Sequence, residues 1–169
     1  MRKLKMTRAV AGAVLAVAVM QAPSAQAATA TGTAKAKILR QITLTNTSDL
    51  NFATVISGGS ASTVTVATDG AATCGTGLTC TGTTTAANFN IQGTNNAVVL
   101  VGGDSSVTLT GSLGGTMSAS LDYSASSVTL TNGPGTVGGS FQVGGVLSVG
   151  LNQASGDYSG TFNVTANYQ

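Results

Sequence analysis

A period-two alternation of apolar and polar residues is the feature that most constrains how this chain can fold. Residues 63–66 read Thr-Val-Thr-Val, and residues 106–110, 127–131 and 145–150 follow the same pattern. Such alternation puts one set of side chains on a core face and the other in water. After residue 27 no segment carries an apolar stripe at helical spacing, and glycine-rich turn sequences separate the runs. The pattern therefore predicts an all-β domain, an antiparallel sandwich or barrel.

The first 27 residues have the composition of a secretory signal peptide. Four of the seven basic residues fall within the first eight positions, an apolar run follows over residues 9–20, and residues 25–27 read Ala-Gln-Ala. The apolar run is too short to cross about 30 Å of hydrocarbon as a helix. We therefore expect residues 1–27 to be a signal peptide cleaved after Ala27; the alternative is an uncleaved N-terminal anchor.

Charged side chains make up only 7% of the chain, and histidine and glutamate are absent. The absence of histidine excludes it as a catalytic base or metal ligand, and the few basic residues exclude an electrostatic nucleic-acid interface. The five aspartates are scattered and form no calcium-binding loop. We therefore expect no enzymatic activity, no cofactor, no metal and no nucleic-acid partner.

The mature chain, residues 28–169, carries three basic residues and five aspartates, which gives a net charge of −2. Its seven Phe and Tyr residues are too few for the two aromatic girdles of a membrane-spanning sheet. We therefore expect no stable membrane insertion of the mature chain.

Cys74 and Cys80 are the two cysteines, separated by five residues that include two glycines. Export permits a disulfide, which would close a small loop and stabilise the fold by roughly 2 kcal/mol at most. Redox activity and half of a metal site are the functional alternatives. Redox motifs usually place two residues between the cysteines, and no other soft ligand is present, so a structural disulfide is favoured.

The mature N-terminus alternates between small apolar residues and threonine or lysine over residues 28–38. Extended at about 3.3 Å per residue, these eleven residues would reach about 36 Å, the length of another domain. One face of such a strand is narrow and apolar, and it suits a groove between two sheets. Its members in this chain are Ala30, Gly32, Ala34, Ala36 and Ile38.

The C-terminus alternates as well, and it ends on a penultimate Tyr168 with Gly156 fourteenth from the end. This combination resembles the C-terminal signature of pilin subunits from chaperone–usher pathways. The alternative is an ordinary terminal strand that happens to end near a tyrosine.

A wider series of motifs resembles a secreted bacterial family, the domain of unknown function 4402. The motifs are residues 49–52, 89–93, 141–150 and 158–162, and the resemblance covers about residues 28–169. Members of that family look like fimbrial subunits. The family often has glycine where this chain has Ala53; if that glycine serves a positive φ, we expect the local turn here to differ.

The resemblance to pilins implies an immunoglobulin-like antiparallel β-sandwich over residues 39–169, with an incomplete edge that a donor strand completes. A periplasmic chaperone would lend a strand first, and the extension of the next subunit, residues 28–38, would replace it at the outer-membrane usher. The donor face would be Ala30, Gly32, Ala34, Ala36 and Ile38. The strand beside the acceptor groove, which the chaperone would pair with, would contain Gly156, Phe162, Val164, Ala166 and Tyr168.

The implied function is that of a structural subunit of a pilus-like surface fibre. Its partners would be other copies of the chain, and it would be exported through the periplasm to the cell surface. Two other functions stay open: a secreted freestanding adhesive or binding module, and a surface-coat protein. Residues 28–38 could also fold back as the domain's own first strand or act as a linker.

Overall fold

The computed structural model describes residues 26–131 and 135–169, which contain thirteen strands and no helix. The predicted signal peptide lies outside the described residues except for its last two positions. In chain order the strands are β1 (Thr43–Ser48), β2 (Thr54–Ile56), β3 (Ser62–Val66), β4 (Ala72–Cys74), β5 (Thr79–Thr81), β6 (Ala87–Gln92), β7 (Val98–Gly103), β8 (Ser106–Gly111), β9 (Thr116–Tyr123), β10 (Ser127–Thr129), β11 (Gly139–Val149), β12 (Tyr158–Ser159) and β13 (Val164–Tyr168).

The main sheet is built around β11, and its path is β1-β6-β11-β9-β8-β12, with β3 and β4 attached beside β11. Residues 139–143 of β11 pair with β6, residues 145–149 pair with β3, and β9 pairs along the opposite edge. The change of partner falls at Gly144 and Gly145. A Cβ at Gly144 would lie 2.4 Å from the Val66 carbonyl oxygen, so this close backbone approach requires glycine.

The second layer consists of two separate pieces, a three-stranded sheet β10-β7-β13 and a two-stranded ribbon β2-β5. Two apolar clusters lie between these pieces and the main sheet. One is centred on Phe141, Ile91 and Leu130, and the other on Val64, Val66 and Leu147. All the ladders are antiparallel among the described residues, and the burial of β6 alternates residue by residue. These observations confirm the predicted all-β antiparallel sandwich.

The chain divides into two units, Met1–Ala36 and Lys37–Gln169. In the first unit, the described residues 26–36 belong to no strand and their side chains are exposed. The second unit contains every strand given above. No helix in the described part of the chain has the length and apolar character needed to cross a membrane.

Candidate functional site

A cleft of about 620 Å³ opens where the second layer leaves part of the main sheet uncovered. Its floor carries the core-facing side chains Leu109, Met117, Leu147 and Val149. Leu147 and Val149 are buried, whereas Leu109 and Met117 are half-buried. In a completed sandwich such side chains pack against the opposite sheet. A strip of the core is therefore open at this point, and we call it the cleft below.

One wall of the cleft is formed by the segment that leads into β2. The Asn51 Oδ1 atom accepts a 2.8 Å hydrogen bond from the backbone N–H of Ala53, whose φ is 58°. The turn thus adopts a positive φ with alanine in place of glycine, and the expectation of a different local turn is wrong. Asn51 supports the conformation because an Asx side chain can bond to the backbone two residues later. Among the described strands, β2 pairs with β5 alone.

The opposite wall is the loop of residues 153–158, in which Tyr158 at one end is hydrogen-bonded to residues at the other end. The Tyr158 hydroxyl donates to the Ala154 carbonyl oxygen at 2.7 Å and accepts from Gln153 Nε2 at 2.8 Å. Gly156 lies in this loop with a φ of 144°, a conformation that side chains disfavour. The sequence-predicted Gly156 therefore lines the cleft from a loop and is not part of the terminal strand.

The terminal strand β13 pairs with β7 on one edge, and its other edge has no strand partner among the described residues. Val164, Ala166 and Tyr168 are half-buried and pack on the Phe141 cluster, in the alternation that the sequence predicts. Phe162 lies two residues before the strand begins. It packs edge-to-face on Phe89 with ring centroids 6.3 Å apart. The free edge of β13 presents unpaired backbone groups, which is the feature that β-augmentation requires.

Tyr168 closes the far end of the Phe141 cluster. Its hydroxyl donates to the Arg40 carbonyl oxygen at 2.6 Å and accepts from the Thr94 backbone N–H at 2.8 Å. A Cβ at Gly93 would lie 2.6 Å from the Tyr168 hydroxyl oxygen, so the ring is held against the β6–β7 loop. Tyr168 therefore has a structural role within the domain, which the sequence did not indicate.

The predicted donor-face residues have exposed side chains. Ala30, Gly32, Ala34 and Ala36 lie in the N-terminal unit, exposed and outside any strand. Ile38 is 91% exposed although it is a large apolar side chain. Within the described residues, the segment 28–38 is thus not incorporated as a strand of its own domain.

The predicted disulfide between Cys74 and Cys80 is confirmed, with a Cα–Cα distance of 6.0 Å. Cys74 ends β4 of the main sheet, and Cys80 lies in β5 of the ribbon. The bond therefore ties the ribbon, and with it β2 in the cleft wall, to the main sheet. Cys80 also packs on the core cluster that contains Phe52.

Titratable side chains are sparse around the cleft. The described residues hold no group of three or more His, Cys, Asp or Glu side chains that could bind a metal ion. Burial, and to a lesser degree the charge of Asp104, raises the pKa of the Tyr123 phenol. The Tyr123 hydroxyl donates a 2.9 Å hydrogen bond to the Asp104 carbonyl oxygen. This bond fastens the end of β9 to the loop between β7 and β8.

Sequence reasoning identified β13 and the disulfide, and the resemblance implied an acceptor groove, but most of the residues that line the cleft were not identified. The ribbon strands β2 and β5 have three residues each, too few to show a period. The alternating pattern around Leu109 indicated that its side chain faces the core. The pattern could not show that no strand of the second layer covers this side chain.

The family model described as domain of unknown function DUF4402 matches residues 42–168 of this chain. The match begins one residue before β1 and ends at the last residue of β13, so it spans the whole sandwich. No curated protein and no solved structure matches the chain.

Proposed function

This chain belongs to the DUF4402 family, and we propose that it is the structural subunit of a surface fibre that assembles by donor-strand complementation after export. In this proposal the N-terminal segment 28–38 of one copy completes the sandwich of the next. The contact is head-to-tail, so it does not close on itself and generates a filament.

The observation that carries the proposal is the strip of open core beside a free strand edge. The cleft exposes Leu109 and Met117 beside β2, which has no strand partner on its second edge among the described residues. A second free edge belongs to β13, which packs on the Phe141 cluster. An added strand would cover apolar surface, at about 25 cal/mol per Å², and would satisfy backbone groups that otherwise invite aggregation.

The composition of residues 28–38 fits this site. Alternate positions carry alanine, glycine or isoleucine, so one face of the extended segment is apolar and narrow. The cleft floor is apolar, so the small apolar side chains of residues such as Ala34 and Ala36 would pack against it in a close backbone approach. The intervening threonines and lysines would point to water.

An open edge of this kind needs protection before assembly. A periplasmic chaperone that lends a strand, and an outer-membrane usher that exchanges it for the next subunit, would supply that protection and carry the chain to the cell surface. Both partners belong to the proposal, and they follow from the resemblance of the C-terminus to pilins.

The test compares two substitutions at neighbouring positions on opposite faces of the donor segment, Ala34→Asp and Thr33→Asp. A charge at position 34 would be buried in the cleft of the next copy and should abolish surface fibres, whereas a charge at position 33 would stay in water. Electron microscopy of the cell surface measures the fibres. Equal assembly of the two variants would contradict the proposal.

A second arm of the test removes the donor segment. Protein that begins at residue 39 should stay soluble only with a chaperone or with a synthetic peptide of residues 28–38. If this truncated protein is monomeric, unfolds cooperatively and is heat-stable alone, the freestanding binding module becomes the better interpretation.

A further inference from the structure

Large exposed apolar side chains concentrate at the two ends of the sandwich. The described residues contain six of them, and five lie at an end: Ile56, Leu113 and Leu151 at one, Ile38 and Val137 at the other. The sixth, Leu100, lies on β7. Surface leucines and isoleucines scattered singly need no explanation, but their grouping around defined features does.

We call the first of these the Tyr158 end. β11 finishes here, and the mouth of the cleft is here, with Ile56 in its wall. The Asn152 backbone N–H lies 3.5 Å from the Gly58 carbonyl oxygen, which brings Leu151 beside the β2 wall. A Cβ at Gly156 would lie 3.6 Å from that of Leu113, so the hairpin bearing Leu113 borders the opposite wall. Ile56 therefore lines the cleft, and Leu113 and Leu151 lie close to its two walls.

We call the second the Tyr168 end. β11 begins here, with Gly139 opposite Ile91, and the Tyr168 hydroxyl meets Arg40. Ile38 and Arg40 precede β1 at this end. A neighbouring copy that donates its N-terminal segment therefore places its own Tyr168 end where the donated segment leaves the acceptor copy.

The direction of the donated strand decides which end of the acceptor that neighbour meets. Every ladder among the described residues is antiparallel, and antiparallel pairs are slightly more stable per residue than parallel ones. β13 runs toward the Tyr168 end, from Val164 to Tyr168. A segment 28–38 paired antiparallel to β13 therefore runs the opposite way, and its residue 38 emerges at the Tyr158 end of the acceptor.

We propose that the Tyr158 end is the docking surface for the Tyr168 end of the next copy of this chain, with Leu113 and Leu151 at the centre of the contact. This inference rests on the proposed function and adds a second interface and a polarity to the fibre. Exposed apolar side chains are present on both partners. Charge also matches, since Asp157 lies at the Tyr158 end while Lys37 and Arg40 lie at the other.

The first experiment separates this contact from strand donation. The double variant Leu113→Ser/Leu151→Ser removes two side chains that are 76% and 57% exposed, and Leu100→Ser is the matched control at 46% exposure. Proteins are recovered after export, and two quantities are measured: the Kd for a synthetic peptide of residues 28–38, and the rate of fibre formation by light scattering. We expect the double variant to bind the peptide as wild type does but to assemble at least about tenfold more slowly. The control should match wild type in both.

Each other outcome has a defined meaning. A double variant that binds peptide and assembles at the wild-type rate overturns the docking surface but leaves strand donation intact. A Leu100→Ser variant as slow as the double variant also overturns it, because the loss would then not be specific to the end. A wild-type protein that neither binds the peptide nor forms fibres overturns the proposed function, and this inference with it.

A second experiment tests the polarity directly with a thiol-specific bifunctional cross-linker. The variant Val137→Cys/Leu151→Cys carries one new cysteine at each end and should give a ladder of multimers. Either substitution alone should give no cross-linked product. A dimer formed by Val137→Cys alone would show that two Tyr168 ends meet, as a parallel donor strand would require, and would overturn the inference.

Discussion

The hydroxyl of Tyr168, the penultimate residue, donates a 2.6 Å hydrogen bond to the backbone carbonyl oxygen of Arg40, which lies 128 positions earlier. The same hydroxyl oxygen accepts the backbone N–H of Thr94 at 2.8 Å. One phenol thus joins the entry to the first strand, the β6–β7 loop and the last strand. This arrangement gives the tyrosine a role in stability that is separate from any role in assembly.

Replacing Tyr168 by phenylalanine removes both hydrogen bonds and leaves the ring in place. We expect the free energy of unfolding, measured by urea denaturation, to fall by about 1–2 kcal/mol, because a partly buried backbone N–H loses its partner. Tyr158→Phe is the comparison, and it should cost less because the Tyr158 hydroxyl accepts from the side-chain amide of Gln153, so no backbone N–H loses its partner. The structural role fails if Tyr168→Phe unfolds at the wild-type urea concentration.

Gly156→Ala should destabilise the wall of the cleft. The φ of 144° is unfavourable for alanine, and the new Cβ would lie 3.0 Å from Ser112 Oγ. We expect a loss of about 1–3 kcal/mol in the free energy of unfolding, together with weaker binding of the peptide 28–38. Gly59→Ala is the control, since a Cβ there meets no atom within 4 Å and its φ is not positive. Equal Tm values for the two variants would contradict this account of Gly156.

Ala53→Gly should stabilise the protein, which is unusual for a substitution to glycine. Alanine at a φ of 58° carries a steric cost of roughly 1–2 kcal/mol that glycine avoids, and the larger entropy of unfolded glycine offsets part of the gain. We expect a net increase of about 0.5–1 kcal/mol in the free energy of unfolding. Ala67→Gly, where φ is not positive, should decrease it. A decrease for both variants would show that Asn51 fully compensates the strain at Ala53.

Removing the disulfide with Cys74→Ser/Cys80→Ser should lower the free energy of unfolding by about 2 kcal/mol, as expected for a short closed loop. Because the bond anchors the ribbon that forms one cleft wall, we also expect the peptide 28–38 to bind severalfold more weakly. Wild-type protein treated with a reductant is the matched control and should show both effects. Unchanged peptide affinity in both samples would mean that the ribbon holds its position without the bond.

Most strands of the sandwich could be predicted from the sequence because their alternation is long enough to recognise. β6, β8 and β13 each have at least five residues with one set facing the core, and the burial patterns follow the predicted period. Phe162 was assigned to the last strand on the same pattern, but the strand starts at Val164. Alternation identifies the residues that face the core, yet it does not mark where the ladder of hydrogen bonds begins.

The resemblance implied an acceptor groove, but most of the residues that line the cleft could not be predicted, because they depend on which part of the main sheet the second layer leaves uncovered. Leu109 and Met117 have the sequence pattern of covered core residues, yet in the structure they line the cleft beside β2. The left-handed turn at Ala53 was hidden for a different reason. Alanine gives no sign of positive φ, and the stabilising contact comes from the side chain of Asn51.

The change of partner along β11 has a consequence for the order of events during synthesis. β11 is the shared neighbour of β3, β6 and β9, whose residues were all made earlier than residue 139. A ribosome therefore synthesises residues 43–138, which are 96 residues of sheet-forming chain, before it synthesises β11, the strand that pairs with β3, β6 and β9. Folding of the main sheet must wait for the final fifth of the polypeptide, and contacts so distant in sequence form slowly. The main sheet of the nascent chain is consequently unfolded for most of translation, and the chain can still pass through a narrow channel.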